Sequence, residues 1–358
     1  MTKSLIRGLF VLLLVIAATS SSLVYAADTK TITDMTGRSV TVPAEINTVL
    51  ATSPPSTEAV YMLDPDVLIG LNFDLNNSKY VPEKYKSLPN LGGQQMGNTL
   101  NYETYLAMKP DIILLGSGPD IDVTGTIEDM QKKLNPIPVV GTIDSTNATA
   151  YGPSITFLGE LLNKQDKAAE LNAFYDKVYK TVTSKVADIP DEKKIKVYYA
   201  EGPDGLKTDP AISDHAQLIT VCGGKNVAEV NEKGGGGMTP VSFEQVASWN
   251  PELIIAGDSR FYKSVMTDPN WKDIDAVKNK KVYLIPNQPF GWIDRPPGVN
   301  RIIGIPWLAK VFYPDQFSDM DLGGLIKEFY STFYHYDLSD DEVNDIITGS
   351  GLSSEKTG

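Results

Sequence analysis

One phrase occurs twice in this chain, and it sets the architecture. Residues 101–115 read NYETYLAMKPDIILL and residues 242–256 read SFEQVASWNPELIIA. Tyr102-Glu103, Pro110 and Ile112-Ile113-Leu114 thus return 141 positions later as Phe243-Glu244, Pro251 and Leu253-Ile254-Ile255. Each copy predicts a short helix, a proline-containing turn and a buried strand. The offset is far longer than the roughly 20 to 50 residues of a solenoid unit. Two similar α/β lobes are the reading it supports, and a cleft between lobes invites a ligand.

The surrounding sequence fills in both lobes. After a polar, strand-like start at 30–42, with a turn at Met35-Thr36-Gly37-Arg38, apolar runs at 48–51, 67–71, 111–115 and 137–140 predict strands. Helices are expected between them, at 57–63, 102–108 and 127–134, an alternation that implies a parallel sheet covered by helices. From 154 to 186 the pattern is purely helical, with Ile155, Leu158, Leu162, Leu171, Phe174, Val178 and Val182 at spacings of three or four and a break at 163–166. A helix over 165–187 would be roughly 34 Å long at 1.5 Å per residue, enough to join two lobes. The second half repeats the alternation, with strands at 195–199, 253–256 and 282–285 and helices near 214–221, 243–249 and 299–312. Ser339-Asp340-Asp341-Glu342 is a capping box that starts a last helix at Asp340. The expected fold class is α/β: two similar lobes with mostly parallel sheets joined by one long α-helix. The expected divisions are a signal peptide at 1–26, a first lobe at 27–163, the linking helix at 164–190, a second lobe at 191–349 and a disordered tail at 350–358.

The signal peptide rests on Lys3 and Arg7, the apolar run 9–18 and Val24-Tyr25-Ala26 as a cleavage site; the run is short of the ~20 residues that span a bilayer. No cysteine near that site is available for lipid attachment, and export to the periplasm or the outer face of the membrane is expected. Loss of Lys3 and Arg7 takes the net charge from −13 to −15, which argues against nucleic acid as a partner. Cys222 is the only cysteine and ends an apolar stretch, so it reads as a buried small hydrophobe rather than a reactive thiol.

Ligands of parallel α/β sheets gather beyond the carboxyl ends of the strands. In the first lobe this brings forward the loops at 52–55, 72–74, 116–119 and 141–144, with Phe73 and Ser117 as candidate ligand contacts. In the second lobe the loops are 201–204, 258–262 and 287–297. The last two pair Arg260 and Arg295 with Tyr262 and Trp292, a combination that grips a flat or anionic ligand through bidentate hydrogen bonds and stacking. The alternatives are that Trp292 caps the core and that Arg295 holds a local carboxylate such as Asp294. His215 either faces the cleft or stands in solvent at a helix start, while His335 reads as a packing residue. Two distant histidines cannot supply a zinc site of three protein nitrogens, and no nucleophile motif or acid–base carboxylate pair is evident. The glycine run 234–237 lacks the Lys-Ser/Thr of a phosphate cradle.

In order and spacing these features resemble the substrate-binding proteins of ABC importers for ferric siderophores, haem and cobalamin. The resemblance covers nearly the whole mature chain. It rests on Met35-Thr36-Gly37-Arg38, Thr57-Glu58, LAMKPDIIL at 106–114, Val221-Cys222-Gly223-Gly224-Lys225-Asn226, Val241-Ser242-Phe243-Glu244-Gln245-Val246, Arg295 to Arg301 and the Phe329-Tyr330 to Tyr336 stretch. It implies a monomeric binding protein with no catalysis, no cofactor and no resident metal. The implied partner is a membrane permease that meets one glutamate on each lobe, and the matching positions are Glu103 and Glu244. Cys222 lacks the second cysteine of the cobalamin binders, and Ser117-Gly118 stands where an aromatic would line a corrinoid. The expected ligand is therefore a chelated metal, a ferric siderophore-type complex, with a corrinoid or haem as the alternative. A secreted enzyme using the same cleft is the rival from another class.

Overall fold

The computed structural model describes residues 28–93, 100–117, 123–143, 147–231 and 237–353. The expected signal peptide, most of the glycine run and part of the loops after the first-lobe strands lie outside these residues. β1 (Thr29–Thr33) and β2 (Ser39–Pro43) pair antiparallel. Asp34 holds the turn between them, its carboxylate accepting from the amides of Thr36, Arg38 and Gly141 at 2.9–3.0 Å. β3 (Val49–Ala51), β4 (Ile112–Ser117) and β5 (Val139–Ile143) form a parallel sheet in the order β3-β4-β5. The helices of this lobe are α1 (Pro54–Leu63), α2 (Glu83–Lys86), α3 (Tyr102–Met108), α4 (Thr124–Leu134) and α5 (Tyr151–Leu161). The strand expected at 67–71 is absent: Pro65–Val67 forms a 3-10 turn, and only single bridges from Leu68 and Leu71 remain. Pro65 fixes a turn geometry at the start of the apolar run, so its hydrophobicity serves packing rather than pairing.

α6 (Gln165–Val186) is the 22-residue linking helix. Its apolar stripe, Leu171, Phe174, Tyr175, Val178, Val182 and Val186, is buried, each such side chain contributing about 1.5–3 kcal/mol when fully removed from water. It packs on α5 on one side and on the second lobe on the other.

The second lobe contains β6 (Lys196–Ala200), β7 (Lys207–Thr208), β8 (Lys225–Asn226), β9 (Thr239–Pro240), β10 (Leu253–Ala256) and β11 (Val282–Leu284). Four of them make a separate parallel sheet, β11-β10-β6-β8, and β7 pairs antiparallel with β9. Its helices are α7 (Gln217–Val221), α8 (Phe243–Trp249), α9 (Ser259–Val265), α10 (Asp275–Lys278), α11 (Gly304–Phe312), α12 (Leu322–Phe333) and α13 (Asp340–Gly349), the last opened by the expected capping box at Ser339. The ordered chain continues past α13, since Ser350 is buried, accepts from Trp307 Nε1 and takes the amide of Leu284 on its carbonyl.

The repeated phrase is a structural repeat. α3 and α8 each have seven residues and are capped by a side chain, Asn101 or Ser242. Each ends at a left-handed residue, Lys109 (φ 49°) or Asn250 (φ 40°), and passes through proline into an interior strand, β4 or β10. Glu103 and Glu244 sit exposed in the two first turns. One hydrophobic core nevertheless runs from the first lobe through α6 into α11 and α12, and α12 packs on α1.

Candidate functional site

The lobes touch along α1, the start of α5 and the segment 285–301. Phe73 packs edge-on against Phe290 at 4.9 Å. Tyr151 donates to the Gly298 carbonyl at 2.9 Å and accepts from Arg301 Nε at 2.8 Å, while Arg301 Nη1 reaches the Asp214 carbonyl. Gln217 accepts from the Ala148 amide at 2.7 Å and donates to Asn147 Oδ1 at 3.1 Å. The turn carrying His215 is therefore held at the junction of the two lobes.

At this junction the second lobe presents a charged cluster. Glu201 follows β6, Asp209 follows β7, and Asp294 and Arg295 come from the segment after β11; the three carboxylates are 2%, 0% and 3% exposed. Carboxylates this deep need charge partners. Arg295 Nη2 lies 2.8 Å from Glu201 Oε1 and 3.1 Å from Asp209 Oδ2, and its Nε is 3.3 Å from Asp294 Oδ2. His215 Nδ1 meets Asp294 Oδ1 at 2.7 Å. Asn300 shapes the loop that delivers Asp294 and Arg295, donating to the Gly291 and Pro296 carbonyls and accepting from the Gly298 amide. Arg295 itself is held at φ 61°, a conformation that a bulky residue adopts only when its surroundings enforce it.

Burial, together with the charges of Glu201 and Asp294, pushes the Asp209 carboxyl up to about 8. Burial opposes ionisation of Asp294 as well, but the His215 hydrogen bond and the Arg295 charge hold it below its usual value. Burial alone would lower His215, whereas the bond and charge of Asp294 keep it above its usual range. At neutral pH, then, Asp209 keeps its proton, and Arg295 and His215 stand against Glu201 and Asp294. Asp209, His215 and Asp294 bring donor atoms within 4.8 Å of one another, and Arg295 already pairs with both of these carboxylates.

The predicted ligand residues part company here. Arg295 and His215 meet in one cluster, and Phe73 lies at the junction. Trp292 does not reach the cleft: it is 0% exposed, packed against Trp307 and Tyr330 and donating to the Tyr330 hydroxyl at 3.3 Å. An indole buries more apolar area than any other side chain, and the core took it. Arg260 is committed to Asp258, the cap of its own helix, by three hydrogen bonds of 2.6–3.2 Å. Tyr262 packs towards the C-terminal segment, where a Cβ on Gly351 would come within 2.8 Å of its hydroxyl. Ser117 ends β4, and its side chain lies outside what the structure describes. Asp209 escaped the sequence reading altogether, having no signal beyond its place before Pro210. Glu58 was read only as part of a family phrase. It is wholly buried beside Gly298 and Arg301, and burial raises its carboxyl well above the usual value.

A family profile for periplasmic binding proteins matches residues 74–289. This chain belongs to that family. The periplasmic binding protein described here is accordingly a substrate-binding component of an ABC importer, working outside the cytoplasm and not an enzyme. It is 29% identical over 353 residues to the molybdate-binding protein MolA of Haemophilus influenzae, covering 92% of this chain and 98% of that one. It is 28% identical over 250 residues to the high-affinity haem uptake protein IsdE of Staphylococcus aureus, covering 66% and 79%. An ABC transporter solute binding protein from Sulfurospirillum deleyianum superposes with a TM-score of 0.82 at 31% identity, over 89% of this chain and 99% of its own. Among the described residues no helix is long and apolar enough to cross a membrane.

Proposed function

We propose that this binding protein captures a metal already held by an organic chelator, a ferric siderophore-type complex, and hands it to its permease. The observation that carries the reading is His215. Its Nδ1 is fixed on Asp294, no described residue hydrogen-bonds to Nε2, and the ring sits partly exposed at the lobe junction. A carboxylate behind an imidazole sets the tautomer and raises the basicity of the far nitrogen, which suits it to an open position on a metal. Arg295, balanced by buried carboxylates, is poorly placed to attract a bare dianion. The Haemophilus relative supports a second reading, a molybdate-type oxyanion held by Arg295 and protonated His215. Equilibrium dialysis with metal analysis separates the two. Ferric catecholate, hydroxamate or citrate complexes should bind and lose about tenfold or more in affinity in His215→Ala, the scale of one lost bond to a charged group. Binding of molybdate with no ferric complex retained would sink the first reading.

Delivery rests on Glu103 and Glu244. They are equivalent by the repeat and exposed, and neither is a member of the charged cluster. Replacing both with alanine should leave ligand affinity unchanged and sharply reduce uptake in vesicles, since interface charges set the encounter with a partner. Normal uptake by the double variant, or lost ligand binding, would refute the assignment.

A further inference from the structure

Large hydrophobic side chains left in water are few among the described residues: Ile212 is 79% exposed, Met238 37% and Met266 43%. Scattered apolar residues need no explanation, but two of these three border the charged cluster. Ile212 lies on the short loop between Asp209, bonded to Arg295, and His215, bonded to Asp294. Met238 follows Gly237, on which a Cβ would collide with Asp209 and Arg295. β7 and β9 explain the proximity. Thr208 pairs with Thr239 in an antiparallel ribbon, so the chain leaving Thr208 towards Ile212 and the chain arriving through Met238 emerge at the same end.

The exposure of Ile212 is built in rather than the product of a loose loop. The Ile212 loop is pinned along its length: Asn226 donates to the Asp209 carbonyl at 3.0 Å, the Ala211 amide to Ala228 at 3.1 Å, and the Ser213 amide to Pro210 at 2.9 Å. Met238 is held at φ 55°, a strained conformation for a long side chain. A pinned loop with an apolar side chain turned to water, next to a polar cluster, is the arrangement of a binding wall awaiting an apolar partner.

We infer that Ile212 and Met238 form an apolar lip that packs on the organic part of the ligand, which selects chelators with an apolar or aromatic face. This rests on the metal-complex reading above. His215 then meets the metal while the lip covers the chelator; a small hydrophilic complex or an oxyanion would leave the lip wet.

The test uses the purified full-length chain, the ferric complexes of 2,3-dihydroxybenzoate and of citrate, and molybdate. In Ile212→Ser with Met238→Ser, affinity for the aryl complex should fall about tenfold, the scale of losing one well-buried aliphatic contact, while affinity for the citrate complex stays within twofold. Met266→Ser is the matched exposed control and should change neither. Equal affinity of wild type and double variant for the aryl complex removes the lip but leaves the metal-complex reading standing. A parallel loss for both complexes also overturns it, because it marks a structural defect. Unchanged affinities with reduced vesicle uptake reassign the lip to the permease and overturn it as a ligand contact. A wild type that binds molybdate and neither ferric complex removes the metal-complex reading and the lip together.

Discussion

Arg295 and Arg260 look alike in sequence, each beside an aromatic in a loop after a strand, yet they end in opposite situations. One is half-buried among three carboxylates, and the other forks onto the cap of its own helix. Two neighbours more than 80 positions away, Glu201 and Asp209, join the adjacent Asp294 in deciding the first case, and a residue two positions away decides the second. The buried cluster also makes stability depend on pH. Asp209 has a raised folded value, so the folded protein keeps a proton that the unfolded chain releases near about pH 4. Its contribution is full at low pH and is lost as pH climbs through about 8. His215, also raised, contributes below its ordinary value and loses that contribution as pH rises through its folded one, so both act in the same direction. Stability should fall by on the order of 1–2 kcal/mol between about pH 6 and pH 9, and Asp209→Asn should flatten the decline. Thermal melts across that range check it; the same slope in the variant would show that another group is responsible.

At the scale of elements, the segment 285–301 reaches the site because α11 begins where it does. Gly304, its first residue, lies so close to the Trp292 carbonyl that any Cβ would overlap it, with the Leu218 side chain 3.1 Å away. The glycine is required for close approach, not for a left-handed backbone. Gly304→Ala should force α11 from the 292–295 turn, destabilise the fold by about 1–3 kcal/mol or more, and weaken ligand binding with it. Circular-dichroism melts and a binding titration on the same sample test this; a variant with unchanged melting temperature would contradict the packing argument. Elements built on local signals were legible in advance. α6, α8 and β10 fall within a residue or so of their expected bounds, because apolar period and capping residues specify them locally. The run 67–71 was misread because an apolar segment of five residues satisfies a strand and a buried connection equally well.

For the whole molecule, two parallel sheets and a repeated helix–strand unit suggest two independent bodies, but the core is continuous through α6, α11 and α12. Tyr61 donates to the Tyr334 carbonyl at 3.2 Å and His335 bonds the Tyr61 carbonyl at 2.9 Å, tying the C-terminal helices back to the first lobe. Unfolding by denaturant should therefore be one cooperative transition, coincident by circular dichroism and by fluorescence of the four tryptophans. Two separated transitions would show that the lobes fold as separate units. The sequence by itself determined the duplicated α/β lobes, the length and place of the linking helix, and the equivalence of Glu103 and Glu244 in the repeat. Periodicity, caps and an internal repeat are properties of neighbours along the chain. Only the tertiary structure decided that Trp292 belongs to the core, that Arg295 is neutralised, and that Glu201, Asp209, His215 and Asp294 share one cluster. Those outcomes depend on which distant side chain fills a given volume or balances a given charge, and no local pattern encodes that.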